Sequence, residues 1–333
     1  MKKKRLWVLL GSIGLISVLA LPIMSGCSPA QPGVYKIGLT QFATHPAADA
    51  GRQGFIDALA DAGFVEGENV AYDYLNPEGD ATAELTIAQK FVSEKVDLIF
   101  SFGSRISMQC VNAAEGTDIP VVFCAITDPV AAELVSDWDH PGENVTGTSD
   151  MIEMDSSVAL ILDIVPGVKK LGTVYNAGEP NSLVLNDELK EVCLPLGIEV
   201  VEATVSTSAD VLVAAQSLVG RRVDAIWVGT DNTVVSGLEA LIKVCEDNMI
   251  PFFPSDGPSI ERGGIACLGF DYYDVGYQTG EMAVRILKGT PASQIPVELG
   301  KKFSYTMNTK AAERYGVTIP QAILDKALTI YEE

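Results

Sequence analysis

Apolar, strand-like segments of this 333-residue chain repeatedly end in polar residues, and these residues are where the sequence can do chemistry. Carboxylates follow such segments at Asp128, Asp231 and Asp256, and a carboxylate accepts hydrogen bonds from a cationic group. Predicted helix starts at Gly103-Ser104 and Asn181-Ser182 offer backbone N–H groups, which suit an anionic group. The full set of polar segment ends is Thr40-Gln41, Phe102-Gly103-Ser104, Ile126-Thr127-Asp128, Tyr175-Asn176, Thr230-Asp231-Asn232, Ser255-Asp256 and Asp271-Tyr272.

Each of these residues also has a purely structural interpretation. Ser104, Asn181 and Ser182 have side chains typical of helix N-caps. The run Thr230-Asp231-Asn232 can cap the helix predicted to follow it, and Asp128-Pro129 can form a turn. The sequence alone leaves ligand contact and local capping open for every one of them.

The motifs expected of an enzyme or a metal site are absent from the sequence. It contains no G-x-S-x-G elbow, no G-x-x-x-x-G-K-[ST] phosphate loop and no G-x-G-x-x-G after the first predicted strand. The two histidines, His45 and His140, stand at unrelated places, and no cluster has zinc-ligand spacing. We expect His45 to order the first loop rather than act as a base. The sequence therefore predicts no catalysis, no cofactor and no metal.

Apolar, β-branched runs alternate with amphipathic segments along nearly the whole chain. This alternation predicts parallel strands joined by helices that cover both faces of each sheet. The predicted strands are Tyr35–Gln41, Asn69–Leu75, Val96–Phe102, Pro120–Ala125, Val145–Ser149, Lys170–Tyr175, Ile198–Thr204, Val223–Val228, Pro251–Pro254, Gly264–Phe270 and Val297–Met307. The predicted helices are Ala47–Ala62, Ala81–Glu94, Ser104–Ala114, Met151–Val165, Asn181–Leu196, Ser208–Val219, Thr233–Asn248 and Tyr273–Leu287.

The two halves of this pattern resemble each other. Val96–Phe100 matches Val223–Trp227, and Ile119–Phe123 matches Ile250–Pro254, at a nearly constant separation. We therefore predict an α/β fold of two doubly wound, Rossmann-like parallel-sheet domains, joined by three crossovers that form a hinge. The expected N-terminal lobe comprises 35–147 and 272–296, and the expected C-terminal lobe comprises 148–271 and 297–333. A ligand cleft is expected between the carboxyl ends of the two sheets.

The first 27 residues have the pattern of an export signal. A basic run from Lys2 to Arg5 precedes an apolar stretch, and Met24-Ser25-Gly26-Cys27 resembles a lipobox, in which Cys27 carries a lipid. We predict a signal peptide over 1–26, a lipidated linker over 27–34 and an extracytoplasmic, membrane-anchored body. An uncleaved signal-anchor helix is the alternative, because the apolar run approaches the ~20 residues of a membrane span.

Composition indicates a soluble, folded body and argues against one class of partner. The chain is 47% hydrophobic and carries a net charge of −21, so nucleic acid is an unfavourable partner. Removing the export signal leaves about 300 residues, enough for two domains. The cysteines beyond Cys27 form no C-x-x-C motif, and we interpret them as small buried hydrophobes.

Several segments together closely resemble one family, the ABC-transporter substrate-binding lipoproteins related to the tryptophan and aromatic amino-acid binding proteins. The resemblance runs in order from about Tyr35 to the C-terminus. It implies a type I periplasmic-binding-protein fold and a monomer that hands a small solute to a membrane permease driven by an ATPase. The segments are Gly38–Gln41 with His45-Pro46, Gly54–Leu59, Phe123–Val130, Asn144–Gly147, Val228–Val234, Asp271–Gly276 and Gln278–Gly280.

The resemblance makes an amino acid, aromatic or otherwise hydrophobic, the expected ligand. Its ammonium group needs a carboxylate such as Asp231, Asp128 or Asp256, and its carboxylate suits the helix starts. Phe42 and Tyr272 can stack on an aromatic side chain, although aromatics at strand ends often belong to the core. Arg105 departs from the family pattern, and its guanidinium either clamps a ligand carboxylate or is solvated at a helix start. The predicted ligand-binding residues are Gln41, Phe42, Gly103, Ser104, Arg105, Thr127, Asp128, Asn176, Asn181, Ser182, Thr230, Asp231, Asn232, Asp256 and Tyr272.

Two functions from other classes compete with transport. A sensor module can use the same fold to signal, and a secreted α/β enzyme can act on a small substrate. Neighbouring permease and ATPase genes favour transport, and turnover of the bound molecule favours an enzyme.

Overall fold

The computed structural model describes residues 33–332, and from Val34 onward the chain forms one compact unit. The predicted signal peptide and the predicted lipidation of Cys27 lie outside the described residues. Within 33–332, no helix has the length and apolar character needed to cross a membrane.

The first sheet consists of six parallel strands in the order β11-β5-β4-β3-β1-β2. Its central strands are fully buried and apolar, as expected for a sheet covered on both faces. The strands are β1 (Tyr35–Gln41), β2 (Val70–Leu75), β3 (Leu98–Phe102), β4 (Val121–Cys124), β5 (Val145–Ser149) and β11 (Glu298–Leu299). The helices of this first lobe are α1 (Pro46–Asp61), α2 (Ala81–Ser93), α3 (Ser104–Ala114) and α10 (Tyr272–Leu287).

The second lobe contains a parallel sheet in the order β7-β6-β8-β9 and a smaller sheet in the order β10-β12-β13. Strands β10 and β12 are antiparallel, and β12 and β13 are parallel. The strands are β6 (Lys170–Asn176), β7 (Glu199–Val205), β8 (Ala225–Val228), β9 (Phe252–Pro254), β10 (Ala266–Phe270), β12 (Phe303–Asn308) and β13 (Ala327–Tyr331). The helices are α4 (Met154–Ile164), α5 (Pro180–Cys193), α6 (Val211–Gly220), α7 (Asn232–Ser236), α8 (Leu238–Asp247), α9 (Gly257–Arg262), α11 (Thr309–Arg314) and α12 (Gln321–Leu324).

The chain crosses between the lobes three times: after β5, between β10 and α10, and between β11 and β12. The predicted strand Val297–Met307 was wrong as a single element, because it divides into β11 in the first sheet and β12 in the second lobe. The pairing of β11 with β5 puts Glu298 and Leu299 in the first sheet, although the expected boundary gave them to the second lobe. We propose to move that boundary to the third crossover.

The predicted helix Thr233–Asn248 was also wrong as one element. Gly237 separates α7 from α8, and a Cβ atom at this position would lie 2.6 Å from the carbonyl oxygen of Ser208. Only glycine allows the backbone to approach so closely. The break turns α8 away and leaves the short α7 beside the carboxyl end of β8.

Candidate functional site

A cavity lies where the carboxyl ends of the two main sheets meet. About 380 Å³ of space, including the solvent at its mouth, is unoccupied by protein atoms. Residues after β1, β3, β4 and β5 form one wall, and residues after β6, β8 and β9 form the other. The lining residues are His45, Ala47, Phe102, Ser104, Ala125, Thr127, Asp150, Asn181, Thr230, Asp231, Asn232, Val235, Asp256 and Tyr272.

The structure brings some of the predicted ligand-binding residues to this cavity and places the others elsewhere. Those at the cavity are Ser104, Thr127, Asn181, Thr230, Asp231, Asn232, Asp256 and Tyr272. Those that do not line it are Gln41, Phe42, Gly103, Arg105, Asp128, Asn176 and Ser182.

Asp256 presents an unpartnered carboxylate oxygen. Its Oδ1 atom accepts a 2.9 Å hydrogen bond from the Ser259 backbone N–H and so caps α9, while Oδ2 is buried and has no hydrogen-bond partner within 33–332. Burial raises the pKa of this carboxyl group. A buried acceptor without a donor is costly, so this atom suits a cationic ligand group. Asn181 likewise has a buried Oδ1 without a partner.

Asp150 is the acidic residue that the sequence analysis missed. It directly follows β5, and its carboxylate accepts hydrogen bonds from the hydroxyl groups of Thr127 at 3.1 Å and Tyr272 at 2.8 Å. Burial raises its pKa as well. The available signal was the one that identified Asp128 and Asp231, namely a carboxylate immediately after a buried strand.

Asp231 lines the cavity but is already occupied as a helix cap. It accepts hydrogen bonds from the Asn176 N–H at 2.6 Å, the Ser182 hydroxyl at 2.6 Å and the Val234 N–H at 2.8 Å. Burial, followed by the nearby Glu179, raises its pKa. These contacts favour the capping interpretation, because they use the oxygens that a ligand ammonium group would need.

The start of α3 offers the opposite charge. Gly103 adopts a φ of 95°, a conformation that favours glycine, and no side chain caps the helix that begins at Ser104. The first N–H groups of a helix lack intrahelical partners and carry partial positive charge. Ser104 is buried and lines the cavity, so this helix end faces a site for an anion.

Aromatic rings form an apolar wall between these polar groups. The ring centroids of Phe102 and Tyr272 are 5.7 Å apart, and those of Phe102 and His45 are 6.1 Å apart. Burial raises the pKa of the Tyr272 hydroxyl far above its ordinary value, so this group donates a hydrogen bond to Asp150. Such a wall suits a flat apolar group.

Arg105 and Phe42 do not reach the cavity. The Arg105 guanidinium lies 2.9 Å from the buried carboxylate of Glu84 and stacks on Phe42, with 5.0 Å between its central carbon and the ring centroid. Both residues line an outer groove beside the cavity. The predicted alternatives for Arg105, a ligand clamp and a solvated residue, give way to a third role, because Arg105 neutralises Glu84.

The remaining predicted residues have local partners. Gln41 hydrogen-bonds with Asp49 and Arg52, and Asp128 caps the turn that begins at Pro129. Asn176 holds Thr233 and Gly178, while Ser182 donates to Asp231. Gln41 and Asn176 end strands and Asp128 follows one, while Ser182 lies at the start of α5, as predicted, but each side chain is used inside one lobe.

The family was decided by comparison with known proteins. The model of the family described as "ABC transporter substrate binding protein" matches residues 36–330. The chain belongs to this family. Members bind solutes rather than catalyse reactions, which confirms the predicted family resemblance and the prediction that the chain is not an enzyme.

Named relatives of this substrate-binding protein include amino-acid binders. It is 40% identical over 262 residues to a tyrosine-binding protein of Clostridioides difficile (strain R20291), covering 79% of this chain and 75% of the relative. A Streptococcus pneumonia ABC domain in complex with L-Trp is 33% identical, with a TM-score of 0.84, covering 89% of this chain and 99% of the other. These structures confirm the predicted two-lobed type I fold.

A third comparison indicates which arrangement the lobes of this substrate-binding protein adopt. A ligand-free, open substrate-binding protein from Clostridium difficile is 38% identical, with coverage of 90% of this chain and 100% of the other, yet its TM-score is 0.66. The tryptophan complex scores higher at lower identity. The more similar sequence would be expected to give the higher TM-score, and the opposite is observed. The lobes here are therefore arranged more as in the tryptophan complex than as in the open, ligand-free protein.

Hydrogen bonds between the lobes are consistent with a shut cleft. The Thr127 and Thr230 hydroxyl groups are 3.1 Å apart, and His45 Nε2 lies 3.2 Å from Asn232 Oδ1. His45 and Asn232 are both buried, and burial lowers the pKa of His45 to about 4. The prediction that His45 orders the first loop agrees with its place as the N-cap of α1.

Proposed function

We propose that this chain is the lipid-anchored, extracytoplasmic solute-binding protein of an ABC importer, and that it captures an aromatic amino acid by closure of its two lobes. The observation that carries the proposal is a cavity between the lobes that brings together three features of the residues 33–332: a buried carboxylate oxygen without a hydrogen-bond donor, a helix start without a side-chain cap and an aromatic wall. The tyrosine-binding relative and the tryptophan-bound neighbour support the same class of ligand.

Each group of a free aromatic amino acid has a counterpart in the cavity. The ammonium group pairs with Asp256 Oδ2, which accepts no hydrogen bond from the residues 33–332, and the Asn181 Oδ1 acceptor lies at the same cavity. The carboxylate group accepts from the first N–H groups of α3. The ring packs against Phe102 and Tyr272. Binding the ligand satisfies polar groups that are otherwise buried without partners, which favours the shut form.

Closure is a shift between two populated arrangements. Residues of both lobes line the cavity, so a ligand reaches its full set of contacts only when the lobes are together. The three crossovers provide the hinge. A permease that recognises the shut form then receives only loaded protein.

Calorimetry against free amino acids tests the ligand class. We expect L-tyrosine, L-tryptophan or L-phenylalanine to bind and L-leucine to bind more weakly, because leucine lacks a ring for the aromatic wall. Tyramine lacks the carboxylate and 3-phenylpropionate lacks the ammonium group, so both should bind far more weakly than the intact amino acid. Equal binding of tyramine and tyrosine would show that the start of α3 does not bind the ligand carboxylate. If no amino acid binds, the proposal is wrong.

Two cellular experiments test the anchor and the importer. Replacing Cys27 with Ala should abolish incorporation of radiolabelled fatty acid and release the protein from membranes. Deleting the gene should reduce uptake of the labelled amino acid, and normal uptake would favour a sensor instead. Permease and ATPase subunits of an ABC transporter are the expected partners of a monomeric protein.

A further inference from the structure

His45 occupies an unusual place for a histidine, the N-cap of a helix. It precedes Pro46 in extended backbone conformation, and its Nδ1 atom accepts a 3.3 Å hydrogen bond from the Ala48 N–H. An accepting Nδ1 carries no proton. The imidazole is therefore neutral with its hydrogen on Nε2.

That Nε2 hydrogen points across the cleft. Nε2 donates to Asn232 Oδ1 at 3.2 Å, and the Asn232 amide nitrogen donates to Glu179 Oε2 at 2.8 Å. Glu179 is itself held by the backbone N–H and the hydroxyl group of Thr233, at 2.9 and 2.6 Å. The carboxylate fixes the orientation of the Asn232 amide, so its oxygen faces His45 as an acceptor.

The His45–Asn232 contact also closes a side wall of the cavity. The residues on its two sides are adjacent in sequence. One residue of each adjacent pair lines the cavity, and the other lines the outer groove. The cavity set is His45, Ser104, Asn232 and Val235, and the groove set is Thr44, Arg105, Thr233 and Ser236. The His45–Asn232 contact therefore lies between the cavity and the groove.

We propose that His45 is the latch of this cleft: its neutral imidazole holds the side wall shut across the two lobes, and a proton taken up on opening keeps it released. This inference rests on the proposed function, because it requires a ligand held by closure. His45 is a gating residue in this role, and acidification is the signal to which it responds.

Groups around His45 shift its pKa in both directions, and burial has the largest effect. The hydrogen bond to Asn232, Asp49 on α1 and Glu78 before α2 favour the protonated ring, whereas Arg262 on α9 opposes it. Glu179 acts through Asn232, and the carboxyl groups of Asp150, Asp231 and Asp256 and the hydroxyl of Tyr272 share the cavity. Burial outweighs these groups and lowers the pKa of His45 to about 4 in the shut form.

Opening exposes the ring to water and should return its pKa to about 6.5. Because His45 has its lower pKa in the shut form, the neutral ring stabilises closure fully above pH 6.5. This stabilisation is lost as the pH falls toward 4. Linkage between these two values predicts that closure weakens about tenfold between pH 7.5 and 5.5. Protonation of the cavity carboxyl groups also weakens ligand binding at low pH. A variant that lacks only the titrating imidazole of His45 is therefore needed for comparison.

The test compares the dissociation constant of L-tyrosine at pH 7.5 and pH 5.5 in the purified protein and in His45→Gln. Glutamine can still donate to Asn232 but does not titrate. We expect the wild-type protein to lose about tenfold more affinity than His45→Gln over this interval. His140→Gln is the control, because His140 is exposed and does not line the cavity, and it should follow the wild type. Equal pH slopes in all three proteins would overturn the latch.

A second measurement does not depend on the folding of a His45 variant. The chain has two histidines, so His140→Gln leaves one imidazole for nuclear magnetic resonance. Its Cε1–H shift should titrate near pH 6.5 without ligand and stay flat down to pH 5 with saturating L-tyrosine. Identical titration in both states refutes the latch while leaving ligand binding intact. If no aromatic amino acid binds at pH 7.5, the proposed function fails, and the latch with it.

Discussion

At the scale of single residues, hydrogen-bond occupancy decides which of the cavity carboxylates is open to a ligand. Asp150, Asp231 and Asp256 are all buried at strand ends. The oxygens of Asp150 and Asp231 already accept protein donors, whereas one oxygen of Asp256 has no donor in the part of the chain that the structure describes. Aspartates in the same topological position therefore differ in whether an oxygen is left for a further donor.

Asp256→Asn should weaken binding of the amino acid without unfolding the protein. Asparagine can still accept from the Ser259 N–H through its Oδ1 atom, but it cannot offer a charge to the ligand ammonium group. Loss of a hydrogen bond to a charged group costs about 1.5–3 kcal/mol, which is about a 10- to 150-fold rise in the dissociation constant. Calorimetry measures the effect, and Asp128→Asn, outside the cavity, should bind normally. Unchanged affinity in Asp256→Asn would place the ammonium group elsewhere.

Arg105→Met should lower stability and leave affinity nearly unchanged. It removes the partner of Glu84, whose pKa is raised by burial and pulled back by Arg105. Losing one member of a buried pair costs about 3–5 kcal/mol, and the partial exposure of Arg105 reduces our expectation to about 2 kcal/mol. Urea unfolding of Arg105→Met and of Arg105→Met with Glu84→Gln checks this. The double variant should recover stability, and a tenfold change in affinity would instead return Arg105 to the ligand.

The sequence predicted where the strands end, but not whether each side chain there already has a hydrogen-bond partner within the protein. Gln41 and Asn176 fit the pattern that identified Asp256, and Ser182 was predicted from a helix start, yet their partners lie within one lobe. The partners of Asn176 and Ser182 are far away in sequence, so composition and spacing do not reveal them. Asp150 obeys the same rule, one residue after β5, but it is not among the predicted residues.

At the scale of elements, the backbones of α1 and α10 approach each other closely in the first lobe. A Cβ atom on Gly276 would lie 1.9 Å from the Gly51 carbonyl oxygen, and one on Gly54 would lie 2.1 Å from the Tyr273 carbonyl oxygen. These are backbone atoms, which cannot move aside as a side-chain tip can. The two helices therefore form one rigid block that carries both His45 and Tyr272 at its cleft end.

Gly276→Ala should destabilise the protein by at least the usual cost of overpacking, about 1–3 kcal/mol. The added methyl group forces α1 and α10 apart, and the gain in helix propensity does not offset this. The midpoint of urea unfolding measures the loss. Gly220→Ala is the matched control, since its Cβ atom meets nothing within 4 Å, and it should be neutral or slightly stabilising. A neutral result at Gly276 would contradict the packing.

The periodicity of the sequence predicted the parallel strands and main helices well, because each has a long buried stripe. It failed where an element is short or interrupted. The two-residue β11 and the short helices α7, α9, α11 and α12 have too few residues to show a period. Their positions depend on contacts with distant segments, which a local pattern does not contain.

At the scale of the whole molecule, closure should be measurable in solution. We expect L-tyrosine to reduce the radius of gyration in small-angle scattering, because the cavity is complete only when both lobes contribute. D-Tyrosine, which presents its ammonium and carboxylate groups in mirror-image order, is the control and should leave the radius unchanged. An equal radius with and without a ligand that calorimetry shows to bind would rule out closure.

The five cysteines of the part of the chain that the structure describes are all buried and unpaired, and burial raises the pKa of each thiol. Thiols in this state react slowly. New cysteines introduced on the outer surface of each lobe would consequently take up maleimide dyes selectively, with the native ones left in place. The protein is thus already suited to a fluorescence energy-transfer reporter that follows single molecules as they open and shut.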